Sequence, residues 1–188
     1  MSTIILASQS PRRKELLQQL NLTFSIQKSG ADETIVERLK PEDFVLELAK
    51  RKAVTIAKQN PNDYVIGSDT IVTYGDEILE KPGNNEEAIK MLKMLSGRTH
   101  SVYTGVAIFH KGEQTIFCEK TDVTFWELSK EEIDSYIESG EPFDKAGGYG
   151  IQGLGAMFVK EIKGDYYTVV GLPLSKVYRE LKRMGYRT

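Results

Sequence analysis

The junction of strand and helix near the start of the chain constrains the fold more than any other feature. Ile4-Ile5-Leu6-Ala7 is a short apolar run, and Ser8-Gln9-Ser10-Pro11-Arg12-Arg13-Lys14 follows at once. Ser10 can cap the free backbone N–H groups of a helix, and Pro11 suits the first helical position. The expected order is a strand over residues 3–7, a helix over 11–20 and a second short strand over 24–27. The charges are out of place. A helix N-terminus is the positive end of the macrodipole and favours Asp or Glu, yet Arg12, Arg13 and Lys14 stand there. Free N–H groups, the dipole and two guanidiniums make an anion site, and phosphate is the anion that best uses Arg forks. The plainer reading is three solvated cations. The position directly after a strand, where open α/β sheets place ligands, favours phosphate.

With 188 residues the chain fits one medium domain, or at most two small lobes sharing a core. A net charge of −2, with acids and bases interspersed, argues against a nucleic-acid platform and a membrane-surface protein, so the expected partner is small. Cys118 is the only cysteine, which rules out an internal disulfide and fits a reducing compartment. It lies in strand-like Thr115-Ile116-Phe117-Cys118-Glu119 and reads as structural rather than nucleophilic. No basic segment followed by a long apolar run opens the chain, and no apolar stretch reaches membrane-span length, so a cytoplasmic protein is expected.

A long helix is expected over 41–59, with Phe44, Leu48, Lys52 and Ile56 on one face, which places Lys52 on the apolar stripe. Tyr64-Val65-Ile66-Gly67-Ser68-Asp69-Thr70-Ile71-Val72 then turns through Tyr74-Gly75-Asp76-Glu77 into Ile78-Leu79-Glu80-Lys81-Pro82, a hairpin with polar residues inside it. Further expectations are a helix over 86–95, strands over 101–110 and 114–126, and a helix over 130–138 with Ser129 and Glu132 as its capping box. A glycine-rich stretch over 146–155 leads to a strand over 156–162, and Pro173 opens a last helix ending before Gly185. Nothing in this order separates independent domains. It predicts a single α/β domain over 1–188, with a mixed, strongly twisted sheet.

Asp69 is the strongest candidate for chemistry. It interrupts a run that reads as a buried strand, and an unpaired buried carboxylate costs several kcal/mol or shifts its pKa upward. Such a group needs a partner: hydrogen bonds from Ser68 or Thr70, or a neighbouring cation. It can serve as a general base on water or hold a divalent metal, and both roles suit phosphoryl chemistry. Lys81, expected across the hairpin from Asp69, either protects a sheet edge or binds an anion. Lys52 either snorkels outward or points its ammonium into a buried anionic site. Glu33, in the Ala31-Asp32-Glu33 loop, and Glu80 read as solvated acids, although Glu33 can add an oxygen to a metal held by Asp69. His100 and His110 have no His or Cys at ligand spacing, so they give no zinc site and read as surface or strand residues.

Gly148-Tyr149-Gly150-Ile151-Gln152-Gly153 matches GxGxxG by letter only, because dinucleotide binding needs a strand before the motif and a helix after it. Here the glycines fit either an ordinary turn or a loop close to a ligand, in which Gln152 offers a base edge both a donor and an acceptor. There is no GxxxxGK[ST], and Arg179-Glu180-Leu181-Lys182-Arg183 lacks the doubled glutamates of a Nudix helix.

Taken together, Leu6-Ala7-Ser8-Gln9-Ser10-Pro11-Arg12-Arg13, Ala31-Asp32-Glu33, Lys52-Ala53, Gly67-Ser68-Asp69-Thr70, Glu80-Lys81-Pro82, Ser96-Gly97-Arg98-Thr99-His100 and Tyr149-Gly150-Ile151-Gln152-Gly153 resemble the motifs of the Maf proteins. These are nucleoside triphosphate pyrophosphatases related in fold to inosine triphosphatases. The resemblance covers essentially the whole chain. It implies a twisted mixed sheet flanked by helices, a deep groove, a homodimer and a divalent metal, magnesium or manganese. It also implies hydrolysis of a nucleoside triphosphate to the monophosphate and pyrophosphate. On that resemblance Asp69 is the general base on water. Ser8, Arg12, Arg13, Lys52 and Lys81 bind the triphosphate, and Glu33 either joins Asp69 at the metal or positions the water. Arg12, Thr70 and Gln152 resemble the branch acting on dTTP and UTP. Two other readings stand beside this one: a pyrophosphatase for modified or methylated nucleotides, and a non-enzymatic nucleotide-binding regulator of cell division.

Overall fold

The computed structural model describes residues 3–35 and 39–187. In chain order the elements are β1 (Ile4–Leu6), α1 (Pro11–Gln18), β2 (Phe24–Ile26), α2 (Pro41–Ala57), β3 (Tyr64–Tyr74), β4 (Glu77–Leu79) and α3 (Asn85–Leu95). After these come β5 (Thr99–His110), β6 (Glu113–Phe125), α4 (Lys130–Glu138), β7 (Val159–Lys163), α5 (Tyr166–Val170) and α6 (Leu174–Arg183). The described strands form one seven-stranded sheet in the order β2-β1-β3-β5-β6-β7, with β4 paired to β3. β1 lies parallel to both β2 and β3, whereas β4 and β7 pair antiparallel with β3 and β6. The expected mixed α/β sheet is therefore present.

The chain divides into two compact units. The first comprises residues 1–69, 104–119 and 171–188, and the second 70–103 and 120–170. In the first unit, Ile5, Ala7, Val65 and Ala107 pack against Ala49, Ala53 and Ile56 of α2. Two strand glycines set how closely that helix lies. A Cβ on Gly67 would sit 2.3 Å from the Ala49 carbonyl oxygen, and one on Gly105 would sit 2.4 Å from that of Val45. A missing side chain in a strand here marks close approach of another backbone. At the far end of β3, the Tyr64 ring stacks on His110 with centroids 3.7 Å apart, and its hydroxyl donates to the Met184 carbonyl.

The second unit has its own core, in which Val72, Leu79, Leu92, Leu95, Phe125 and Phe158 are all buried. Its helix caps follow the sequence: the Asn84 side chain caps α3, and Ser129 with Glu132 forms a complete capping box on α4. Several expectations need correction. The strand expected over 156–162 begins only at Val159, because Leu154–Phe158 closes into a 3-10 turn. Helix α5 was not expected, yet its start is locally encoded: the Asp165 carboxylate accepts from the Thr168 N–H at 2.8 Å. The β3–β4 ladder ends at the pair Val72–Leu79, so Lys81 lies beyond it and is not carried opposite Asp69 by strand pairing. His100 and His110 are strand residues, as one of the two expectations had it, but both are buried rather than on the surface. Cys118 is half-buried, and burial first, then Glu42 and Glu119, push its thiol up to about 11, which suits a structural role. No described helix is long and apolar enough to cross a membrane.

Candidate functional site

The first unit gathers the charged candidates other than Lys81. Asp69 sits on β3 two residues beyond Gly67, and the alternation of a strand turns both toward α2. There Lys52 Nζ donates to Asp69 Oδ1 at 2.6 Å, with both residues buried at 9% and 8% exposure. The lysine also lies 3.3 Å from Glu33 Oε2, whose side chain is exposed. The helical stripe that put Lys52 among apolar neighbours therefore aims its ammonium inward, between two carboxylates. This neighbouring cation is the partner Asp69 required.

Ser68, adjacent on the strand, points to the opposite face, where its hydroxyl donates to the Gly171 carbonyl at 3.1 Å. The same carbonyl accepts from Arg13 Nε at 2.8 Å. Arg13 NH1 donates to Ser8 Oγ at 3.4 Å, and that oxygen also accepts the Ser10 N–H at 3.2 Å. Ser8 is buried and spends its lone pairs on these two donors, leaving its own proton to give. Burial pulls the Arg13 guanidinium below its usual pKa, Asp69 opposes that, Arg12 adds to it and Glu33 opposes it. Ser10 caps α1 with Pro11 at the first position, and the first turn contains no acid. Arg12 is half-buried, while Lys14 is exposed, as a solvated cation should be. Ser68, one of the partners the sequence offered for Asp69, thus turns to Gly171 instead, and Gly171 itself was missed because a backbone carbonyl 158 residues from Arg13 leaves no trace in local pattern.

The second unit holds the other candidates: Thr70 half-buried on β3, Lys81 exposed beyond β4, and Gln152 exposed in the glycine-rich loop. The Gly147 N–H donates to the Glu80 carbonyl, which ties that loop to the Glu80-Lys81-Pro82 segment. Tyr149 is buried with its hydroxyl 2.7 Å from His100 Nε2. The His100 ring is 2% exposed, and burial lowers its pKa to about 4, with Asp122 opposing. GxGxxG is not a dinucleotide motif here, since a 3-10 turn precedes Tyr149 and another follows Gly153.

Among the described residues no group of three or more His, Cys, Asp and Glu converges. A magnesium-type cation asks for less: one or two carboxylates together with substrate phosphates and water. Glu33 and Asp69, converging on one ammonium, fit that donor chemistry.

A buried acid-lysine pair stands in the same unit as an arginine-bearing helix start, in an α/β protein with a mixed sheet. The chain belongs to the Maf family: the model described as Maf-like protein matches residues 3–184. Two Bacillus cereus proteins, each named dTTP/UTP pyrophosphatase, are similar throughout. One is 56% identical over 183 residues, covering 97% of this chain and 96% of that protein. The other is 57% identical over 185 residues, covering 98% and 97%. Among solved structures, the Staphylococcus aureus Ham1 protein aligns with a TM-score of 0.45 at 15% identity, over 66% of this chain and 72% of that one. That likeness is too weak to carry an argument.

Proposed function

We propose that this protein is a nucleoside triphosphate pyrophosphatase that hydrolyses dTTP and UTP to the monophosphate and pyrophosphate. The observation that carries the reading is the buried Lys52–Asp69 pair, in the same unit as Ser8, Arg12 and Arg13. A carboxylate held in place by an adjacent ammonium presents an oxygen that can accept a proton from water, and the arginines supply charge for phosphate oxygens.

In the proposed reaction Asp69 accepts a proton from water as the water oxygen forms a bond to the α-phosphorus. The bond from that phosphorus to the α-β bridging oxygen breaks, and its electron pair leaves with pyrophosphate. Ser8, Arg12, Arg13, Lys52 and Lys81 hold the triphosphate, which gives in-line positioning and charge stabilisation, the main needs of phosphoryl transfer. Glu33 and Asp69 would hold a divalent cation, magnesium or manganese, whose contribution when bound is to neutralise charge on the leaving group. Arg12, Thr70 and Gln152 select the base. We further propose that the two units work as one domain over residues 1–188, and that the protein acts as a homodimer in the cytoplasm on free nucleotides rather than on nucleic acid or membranes.

The test is a panel of nucleoside triphosphates, including a methylated guanosine triphosphate, incubated with purified protein and magnesium or manganese. Pyrophosphate release led by dTTP and UTP is expected. No pyrophosphate from any of them would end the reading, and a stronger response to the methylated nucleotide would move the substrate class.

A further inference from the structure

The loop that carries Gln152 is fastened in a way that its role as a surface turn does not require. Its entry is held by Tyr149, buried beside His100 and set edge-on to Phe125 at 4.7 Å between centroids. Its exit is held by one carboxylate. Glu141 accepts the Leu154 N–H at 2.9 Å on one oxygen, and the Gly155 N–H at 3.4 Å together with the Tyr136 hydroxyl at 3.1 Å on the other. The fully buried Tyr136 in turn accepts the Gly150 N–H at 3.2 Å, so one phenol links the two sides of the turn.

Three of the loop's five glycines, Gly150, Gly153 and Gly155, lie against close neighbours. A Cβ on Gly153 would lie 2.4 Å from Glu141 Oε1, one on Gly150 would lie 2.5 Å from Lys145 Cε, and one on Gly155 would lie 2.7 Å from the Gly150 carbonyl oxygen. Gly153 thus rests directly on Glu141, and Gly155 lies against the Gly150 carbonyl and the Tyr136 hydroxyl. What the arrangement leaves exposed is the tip, with Gln152 on it.

We propose that Glu141 and Tyr136 are positioning residues that preset this loop so that the Gln152 amide meets the pyrimidine ring in one place. This rests on the proposed nucleotide pyrophosphatase reading and deepens it. Thymine and uracil share an imide edge, a ring N–H flanked by carbonyls, and a primary amide matches it with one acceptor and one donor. A two-point match yields affinity only if the amide does not have to be ordered on binding, because ordering a loop and a rotamer-rich side chain consumes part of the gain. The carboxylate-phenol clasp has already ordered the backbone. Neither Glu141 nor Tyr136 is among the residues assigned to the triphosphate, so their loss acts first on base recognition.

The test compares wild type with E141A, E141Q and Y136F, with K14A as a surface control. For each, kcat and KM are measured for dTTP and UTP, and inhibition by inorganic tripolyphosphate, which has phosphates but no base, is measured alongside. For E141A, KM for both nucleotides is expected to rise about tenfold with kcat within about twofold and the tripolyphosphate Ki unchanged. E141Q retains one acceptor oxygen and should fall between wild type and E141A, as should Y136F; K14A should match wild type. Should E141A lack a cooperative thermal melt, E141Q and Y136F decide by the same split. An unchanged KM in these variants, or an equal shift in the tripolyphosphate Ki, would overturn the inference. If wild type is active and the variants match it, only this inference fails; if wild type cleaves no nucleotide, the parent reading fails and takes this one with it.

Discussion

The two units support their candidate groups with different materials. In the first, the candidate groups are ionised side chains in a mutual balance: Asp69 against Lys52, Lys52 against Glu33, and Arg13 anchored on a backbone carbonyl. In the second, the exposed candidate Gln152 is neutral, and its support is a network of backbone N–H groups on Glu141 and Tyr136. A charged cluster acts through a field that weakens with distance, whereas recognition of a base edge is directional and depends on a fixed backbone. Damage to the Lys52–Asp69 cluster should therefore remove turnover, and damage to the Gln152 loop should weaken nucleotide recognition with turnover kept.

The largest expected effect is from D69N. It keeps shape and removes the base, so kcat should fall by about a thousandfold while the thermal melt stays cooperative. Equal activity would place the base elsewhere. K52M should be the most destabilising single change in the first unit, since it leaves a buried carboxylate without its cation. A loss of about 3 kcal/mol in denaturant unfolding is expected. G67A tests the spacing of helix and sheet. Its methyl group meets the Ala49 carbonyl, so α2 must move outward, with about 2 kcal/mol of stability lost and kcat reduced through the displaced Lys52. Were the Lys52–Asp69 contact irrelevant to turnover, G67A would lower the melting temperature and leave kcat alone.

Much of the first unit was legible because charge in the wrong place is a signal. Asp69 stood out against β-branched neighbours, Lys52 against an apolar stripe, and Arg12 and Arg13 against the helix dipole. The geometry joining them was not legible, since Gly67 and Gly105 say only that something comes near, and the Gly171 carbonyl belongs to a distant part of the chain. The second unit was harder to read for a related reason. The Gly148-Tyr149-Gly150-Ile151-Gln152-Gly153 letters were visible, but the fastenings are backbone donors and a glutamate, Glu141, that resembles any surface acid. Residues 156–158 read as strand because their apolar content gives no means of telling the end of a 3-10 turn from the start of β7.

Smaller effects sharpen the comparison in the second unit. Q152A should raise KM for dTTP and UTP by about tenfold with kcat little changed; a thousandfold fall in kcat would make Gln152 part of the chemistry and dissolve the contrast. His100 predicts a pH effect on stability alone. Its folded pKa of about 4 lies below the ordinary 6.5, so the unfolded chain binds the proton first as pH falls. Stability is fully retained above about 6.5, declines as pH drops through the window, and is lost down to about 4, by an amount on the order of 3 kcal/mol. Unfolding of H100Q across that range should show a shallower slope, and an unchanged slope would assign the acid sensitivity to other groups.

The most direct test of the central claim is hydrolysis of dTTP in heavy-oxygen water, with the label located by mass spectrometry. Attack of Asp69-activated water on the α-phosphorus places the heavy oxygen in the monophosphate and none in pyrophosphate. Label in pyrophosphate, or release of free phosphate in place of pyrophosphate, would contradict it.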